Sequence, residues 1–101
     1  MPKISFTLPA ALSAQDIVER LHHFLPAIKD RYKDQIKDLN ENWDGNKLDF
    51  SFKTMGFVFK GIIEAANQKV IVNLDIPFAA MMVKGKIEQE IKGGLERLLK
   101  P

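Results

Sequence analysis

The sequence contains no cysteine, so it can form no disulfide, offers no thiol nucleophile and builds no thiolate metal site. Its two histidines, His22 and His23, are adjacent. Neighbouring helix residues point about 100° apart and cannot grip one ion as an i, i+4 pair does. Glu19 with His22 makes a Glu-x-x-His step, but di-iron bundles need a second copy, and the chain has none. No apolar run approaches the ~20 residues of a membrane-spanning helix. The opening MPKISFTLPAAL lacks the basic region and continuous apolar segment of a secretory leader. Net charge is scarce as well. Fifteen Lys and Arg interleave with 13 Asp and Glu to leave +2, and no basic stripe of the kind that tracks nucleic acid emerges. The expectation is a soluble cytoplasmic protein with no cofactor, no metal, no transmembrane segment and no nucleic-acid partner.

What is present reads as one globular domain over residues 1–101, with 46% hydrophobic and 28% charged residues. Ile4, Phe6 and Leu8 alternate with Lys3, Ser5 and Thr7 between two prolines, which marks a half-buried strand. Ser13 is placed as an N-cap, with Asp16 in the first turn and Leu12 able to staple onto Ile17. Ile17, Leu21, Phe24, Ile28 and Tyr32 then recur at helical spacing, and Pro26 on the far side predicts a kinked helix rather than two separate ones. Residues 36–43 fit either an extension of that helix or a polar edge strand ending at Trp43, and the strand agrees better with the Asp44-Gly45 turn signal. Leu48, Phe50 and Phe52 define the next strand, and Phe57, Phe59 and Ile63 another, with Gly61 marking a close approach on the same face. Val70, Val72, Leu74 and Ile76 make a last inward row, closed by Pro77. The economical architecture is an α+β two-layer sandwich. It has an antiparallel sheet of four to five strands with two helices on one face, in the order strand-helix-strands-helix.

Catalytic signatures are missing from this framework. Gly56 and Gly61 have the spacing that begins a phosphate-binding loop, but Ile62 stands where its lysine belongs and no helix follows. Ser5, Ser13 and Ser51 occupy strand or cap contexts without a Gly-x-Ser-x-Gly elbow. Asp49 and Asp75 fall where carboxylates simply solvate the outer sheet face. No catalytic residue is assigned, and the protein is read as a non-enzyme.

Surface contact is the better candidate. Val58, Ile62 and Ile71 point away from the core rows and, grouped with Trp43, form an outward apolar patch suited to self-association as a homodimer. Phe50, Phe52, Phe57 and Phe59 could instead line a cavity between sheet and helices for an acyl or lipid ligand. In the closing MMVKGKIEQEIKGGLERLLKP, Ala80, Val83, Ile87, Ile91, Gly94 and Leu98 share one stripe with Leu95 beside it. The polar face mixes both charges, unlike the Lys/Arg-rich face of a surface-seeking helix, so this helix reads as a cover for the protein's own sheet. Met81 and Met82 at its entrance are the part left for a foreign contact.

Three segments together carry a family likeness: Pro2-Lys3-Ile4 ahead of an N-capped helix, Trp43-Asp44-Gly45-Asn46 ahead of Leu48-Asp49-Phe50, and Lys84-Gly85-Lys86-Ile87-Glu88-Gln89-Glu90-Ile91. In this order they resemble the small bacterial polyhydroxyalkanoic acid system, or granule-region, family along essentially the whole chain. The resemblance implies a link to storage-polymer granules, with a granule surface or granule proteins as partners and no catalytic residues to carry over.

Overall fold

Alternating burial along five segments builds one antiparallel sheet, and a computed structural model of the chain describes residues 2–100 of it. The strands are β1 (Lys3–Pro9), β2 (Lys37–Asp44), β3 (Lys47–Thr54), β4 (Phe57–Ala66) and β5 (Lys69–Asp75), arranged β1-β5-β4-β3-β2. Helices α1 (Ala14–Leu21) and α2 (Phe24–Arg31) lie between β1 and β2. A 3-10 segment, Phe78–Val83, leads from β5 into helix α3 (Lys84–Leu98). The expected α+β sandwich is therefore the fold, with both helical regions on one face of the sheet.

Strand register explains the core. Ile4, Leu74, Gly61 and Phe50 fall in line across β1, β5, β4 and β3. Phe6, Val72, Ile63, Leu48 and Trp43 make the next row, which reaches β2. Most of these side chains are buried, and α1 and α3 pack over them. Gly61 is where Phe50 lies flat against β4. A Cβ added there would stand 2.6 Å from the tip of the Phe50 ring and 2.9 Å from Leu74 Cδ1. Only a residue without a side chain admits that packing.

Residues 36–43 resolve as strand: β2 is a polar edge, half-buried only at Leu39 and Trp43. Its pairing with β3 slips between Lys37 and Asn40, and Asp38 there has φ +53°. A charged, bulged edge of this kind resists pairing with another sheet.

The single kinked helix is corrected to two. Ser13 caps α1 as expected, its Oγ accepting the Asp16 amide at 3.2 Å. The chain then breaks at His22-His23, upstream of Pro26. Pro26 becomes the third residue of α2, in the first turn, where its missing N–H costs no helical hydrogen bond. The break lets Phe24 and Leu25 turn inward while His22 and His23 stay exposed.

Helix α3 covers the core through Ile91, Leu95 and Leu99, whereas Leu98 is only half-buried. The predicted stripe ran a uniform helical wheel through residues 80–98. The 3-10 segment advances about 120° per residue instead of 100°, which offsets its residues from those of α3. Gly94 meets Phe24 of α2, whose Cε1 would lie 3.2 Å from an added Cβ. At the C-terminal end, Arg20 Nη1 donates to the carbonyls of Leu98 (2.9 Å) and Lys100, placing a cation where the helix dipole is negative.

Candidate functional site

The large hydrophobic side chains left exposed are Met55, Val58, Phe78, Met81 and Met82. The topology brings them to one end of the sheet. Met55 is in the β3–β4 turn, with Thr54 opposite Phe57, and Val58 is one residue further along β4 opposite Lys53. β5 runs to the same end, since Asp75 lies opposite both Lys60 and Lys3. The 3-10 segment carrying Phe78, Met81 and Met82 leaves from there, after Ile76 has donated its N–H to the Pro2 carbonyl. Met82 is 97% exposed and Phe78 81%, while Ala80 between them is buried and holds the segment down. At the opposite end, where the Gly45-Asn46 and Asn67-Gln68 turns lie, no large apolar side chain of the described residues is exposed.

Two of the predicted contact residues, Met81 and Met82, thus share an end of the sheet with exposed residues that the sequence reading passed over. Phe78 and Met55 were absent from it. The signal for Met55 was available. A two-residue loop between clean strands requires left-handed backbone, and Met55 (φ +53°) and Gly56 (φ +80°) both adopt it. Asn, Asp or Gly normally occupies the first of these positions, so an exposed methionine there is conformationally costly. Phe78 follows the proline that ends β5, outside any strand or helix period.

The remaining predicted residues divide between the two faces. Val58, Ile62 and Ile71 are on the outer face, but Ile62 is flanked by Asp49 and Asn73, and Ile71 by Thr7 and Glu64. Trp43 does not join them. Its register partner is the buried Leu48, so it faces the helices and lies against His22, with ring centroids 4.2 Å apart and planes 30° from parallel. The outer face is chiefly polar. Lys3, Asp75, Lys60, Ser51 and Asn40 run across it in one row, with a 3.9 Å ion pair between Lys3 and Asp75. In the next row Ser5 donates to Asn73 at 2.7 Å. A shallow depression of about 390 Å3 overlies these two rows.

On the inner face, Phe50, Phe52 and Phe59 stack in a column, with centroids 6.2 and 5.3 Å apart and planes within 2° and 15°. Phe50 and Phe59 are buried, and Phe52 and Phe57 are half-buried toward the end that carries Met55. The rings themselves occupy the space between sheet and helices at this point.

The polar chemistry is equally spare. Among the described residues no group of three His, Cys, Asp or Glu side chains is placed to hold a metal ion. Tyr32, at the end of α2, donates its hydroxyl to Glu90 of α3 at 2.6 Å. That bond raises the tyrosine pKa above its usual value and lowers the Glu90 carboxyl below its own, because it needs the phenol protonated and the carboxylate charged. Among the described residues no helix is long and apolar enough to cross a membrane.

A family model described as "Putative polyhydroxyalkanoic acid system protein" matches residues 4–99. No curated protein matches the sequence. Among solved structures the chain is similar to the quaternary ammonium Rieske monooxygenase CntA in complex with L-carnitine, with a TM-score of 0.52 and 11% identity. That match covers 96% of this chain and 36% of the monooxygenase, so the chain spans about a third of its length, and the likeness is one of fold alone. Truncated norcoclaurine synthase from Thalictrum flavum aligns at a TM-score of 0.46 and 13% identity, covering 97% of this chain and 90% of that one. Ara h 8.0201 aligns at 0.45 and 10%, covering 96% and 94%.

Proposed function

The chain belongs to the polyhydroxyalkanoic acid system family, and from that premise we propose that it acts without catalysis at cytoplasmic storage-polymer granules. Its partner is the granule surface or a protein bound there. The observation that carries this reading is that the large apolar side chains left exposed, Met55, Val58, Phe78, Met81 and Met82, belong to elements at one end of the sheet. Soluble proteins seldom cluster apolar side chains in water without something to cover them. Contact of this kind asks for no reacting group, which agrees with a sequence that carries no catalytic motif.

The alternative, an acyl or lipid ligand between sheet and helices, meets a column of stacked phenylalanine rings, and a ligand there would have to displace Phe52 or Phe59. Self-association through Val58, Ile62 and Ile71 has less apolar area to work with, because charged and amide side chains flank each of them. Density fractionation of a polymer-producing host tests the proposal. The protein is expected to sediment with the granules, and Met81→Ser/Met82→Ser to shift it to the supernatant. Recovery of the unaltered protein only in the supernatant of granule-rich cells would overturn it.

A further inference from the structure

The apolar end of the sheet is also its lysine-rich end. Lys37 and Lys53 stand directly opposite each other across β2 and β3, on the same row as the exposed Val58. Like charges in that position repel, and among the described residues neither has a carboxylate within 4.0 Å. Lys60 follows on β4, and Lys84 and Lys86 open α3 beside Met81 and Met82. The carboxylates at this end are fewer. Asp75 is engaged by Lys3, and Asp34 and Asp38 line the hollow beside Met55 with Lys37 and Lys53. Two independent costs therefore converge here. A methionine occupies a turn position that favours Asn or Gly, and two lysines face each other with no carboxylate of the described residues in ion-pair contact with either. Local strain and repulsion of this kind are retained where the surroundings, or a ligand, make use of them.

Resting on the granule reading, we infer that this end docks on a lipid surface bearing anionic headgroups. Met55, Phe78, Met81 and Met82 enter the acyl boundary while Lys37, Lys53, Lys84 and Lys86 meet the headgroups. Exposed apolar side chains with lysines at the same end supply the two components of interfacial binding, apolar insertion and electrostatic attraction. The mixed-charge face of α3 stays clear of the surface, because only the entrance to that helix takes part.

The test is flotation of the full chain with phosphatidylcholine vesicles, with and without phosphatidylglycerol, at low and high salt. Binding is expected on the phosphatidylglycerol vesicles and should weaken as salt rises. Lys53→Gln should lower the partition coefficient about five-fold. Met82→Ser should lower it roughly ten-fold or more. Met55→Asn is the decisive variant, because it suits the left-handed turn and should melt no lower than the parent while binding less. Equal binding to both vesicle types, absence of binding, or full binding by Met55→Asn and Met82→Ser would each overturn the inference. Granule fractionation separates it from the broader reading. Recovery on granules without vesicle binding removes the lipid surface and keeps the granule. Vesicle binding without granule recovery does the reverse.

Discussion

Replacing Gly61 with alanine puts one methyl group into the tightest place in the sheet. The added carbon would lie 2.6 Å from Phe50 Cζ and 2.9 Å from Leu74 Cδ1, both directly opposite Gly61 in register. Neither neighbour can yield freely. Leu74 is fully buried, and Phe50 is 5% exposed with the Phe52 ring stacked in line with it. Forcing an extra methyl into such a core costs about 1–3 kcal/mol. The restriction of the unfolded chain when glycine becomes alanine returns about 0.4–1 kcal/mol. The net expectation is a loss of about 1–2 kcal/mol. For a domain of this size that lowers Tm by roughly 5–15 °C. The assay is urea unfolding followed by circular dichroism, run on Gly61→Ala, Phe50→Leu and the double variant. Shortening Phe50 vacates the space that the methyl needs, so the double variant should lose at least ~1 kcal/mol less than the sum of the singles. A Gly61→Ala protein as stable as the parent, or strictly additive singles, would refute the account of why this position is glycine.

Other substitutions probe the helices. Gly93→Ala meets nothing closer than Arg97 Nη1 at 3.5 Å and should stabilise the protein by about 0.5–1 kcal/mol in the same assay. Gly94→Ala would press on Phe24 at 3.2 Å and should lose most of that gain. Arg20→Met keeps the aliphatic stem but removes the donors to the Leu98 and Lys100 carbonyls, and a loss of about 1–2 kcal/mol is expected, which chemical denaturation would show. The Tyr32–Glu90 bond sets opposite limits on pH. Glu90 has a lowered pKa, so its contribution holds above the ordinary carboxylate range and disappears as pH falls through the folded value. Tyr32 has a raised pKa, so its contribution holds below the ordinary phenol value and disappears as pH rises through the folded one. Melting curves of Tyr32→Phe and the parent should therefore differ near neutrality and converge at both extremes. A constant gap across pH would show that the bond does not contribute.

Much of this architecture was legible because period-2 alternation is hard to disguise. KISFTL, KLDFSF and VIVNLDI each declared a buried row, and Gly61 declared a close approach. Residues 36–43 were ambiguous because an edge strand buries almost nothing, so its polar sequence carries no period. The break before Pro26 was missed because Ile17, Leu21, Phe24 and Ile28 keep helical spacing straight through it. Periodicity records which residues are buried, not whether the axis between them is continuous. Trp43 was assigned to the wrong face although the Gly45-Asn46 hairpin sets it opposite the buried Leu48; the bulge between Lys37 and Asn40 lies beyond it and leaves that pairing unchanged. The contact surface was only half visible. Met81 and Met82 stood out as a pair, but Phe78 and Met55 join them only once β5 and the β3–β4 turn share an end.

The pairing of β1 with β5 also governs the order in which the chain can assemble. Strands β2 to β5 are joined by tight hairpins, whose formation takes about 1–10 μs. β1 has no neighbour in sequence to pair with. Lys3 lies opposite Asp75 and Pro9 opposite Lys69, so its only sheet partner is the last strand made. Closing that long loop carries an entropic cost that local hairpins avoid. Of the five strands, the first to be synthesised is therefore the last that can be paired. Until β5 follows, Ile4, Phe6 and Leu8 remain an unpaired apolar row on a nascent chain. The prolines at either end of that strand, Pro2 and Pro9, lack the N–H groups through which a stray partner would extend it.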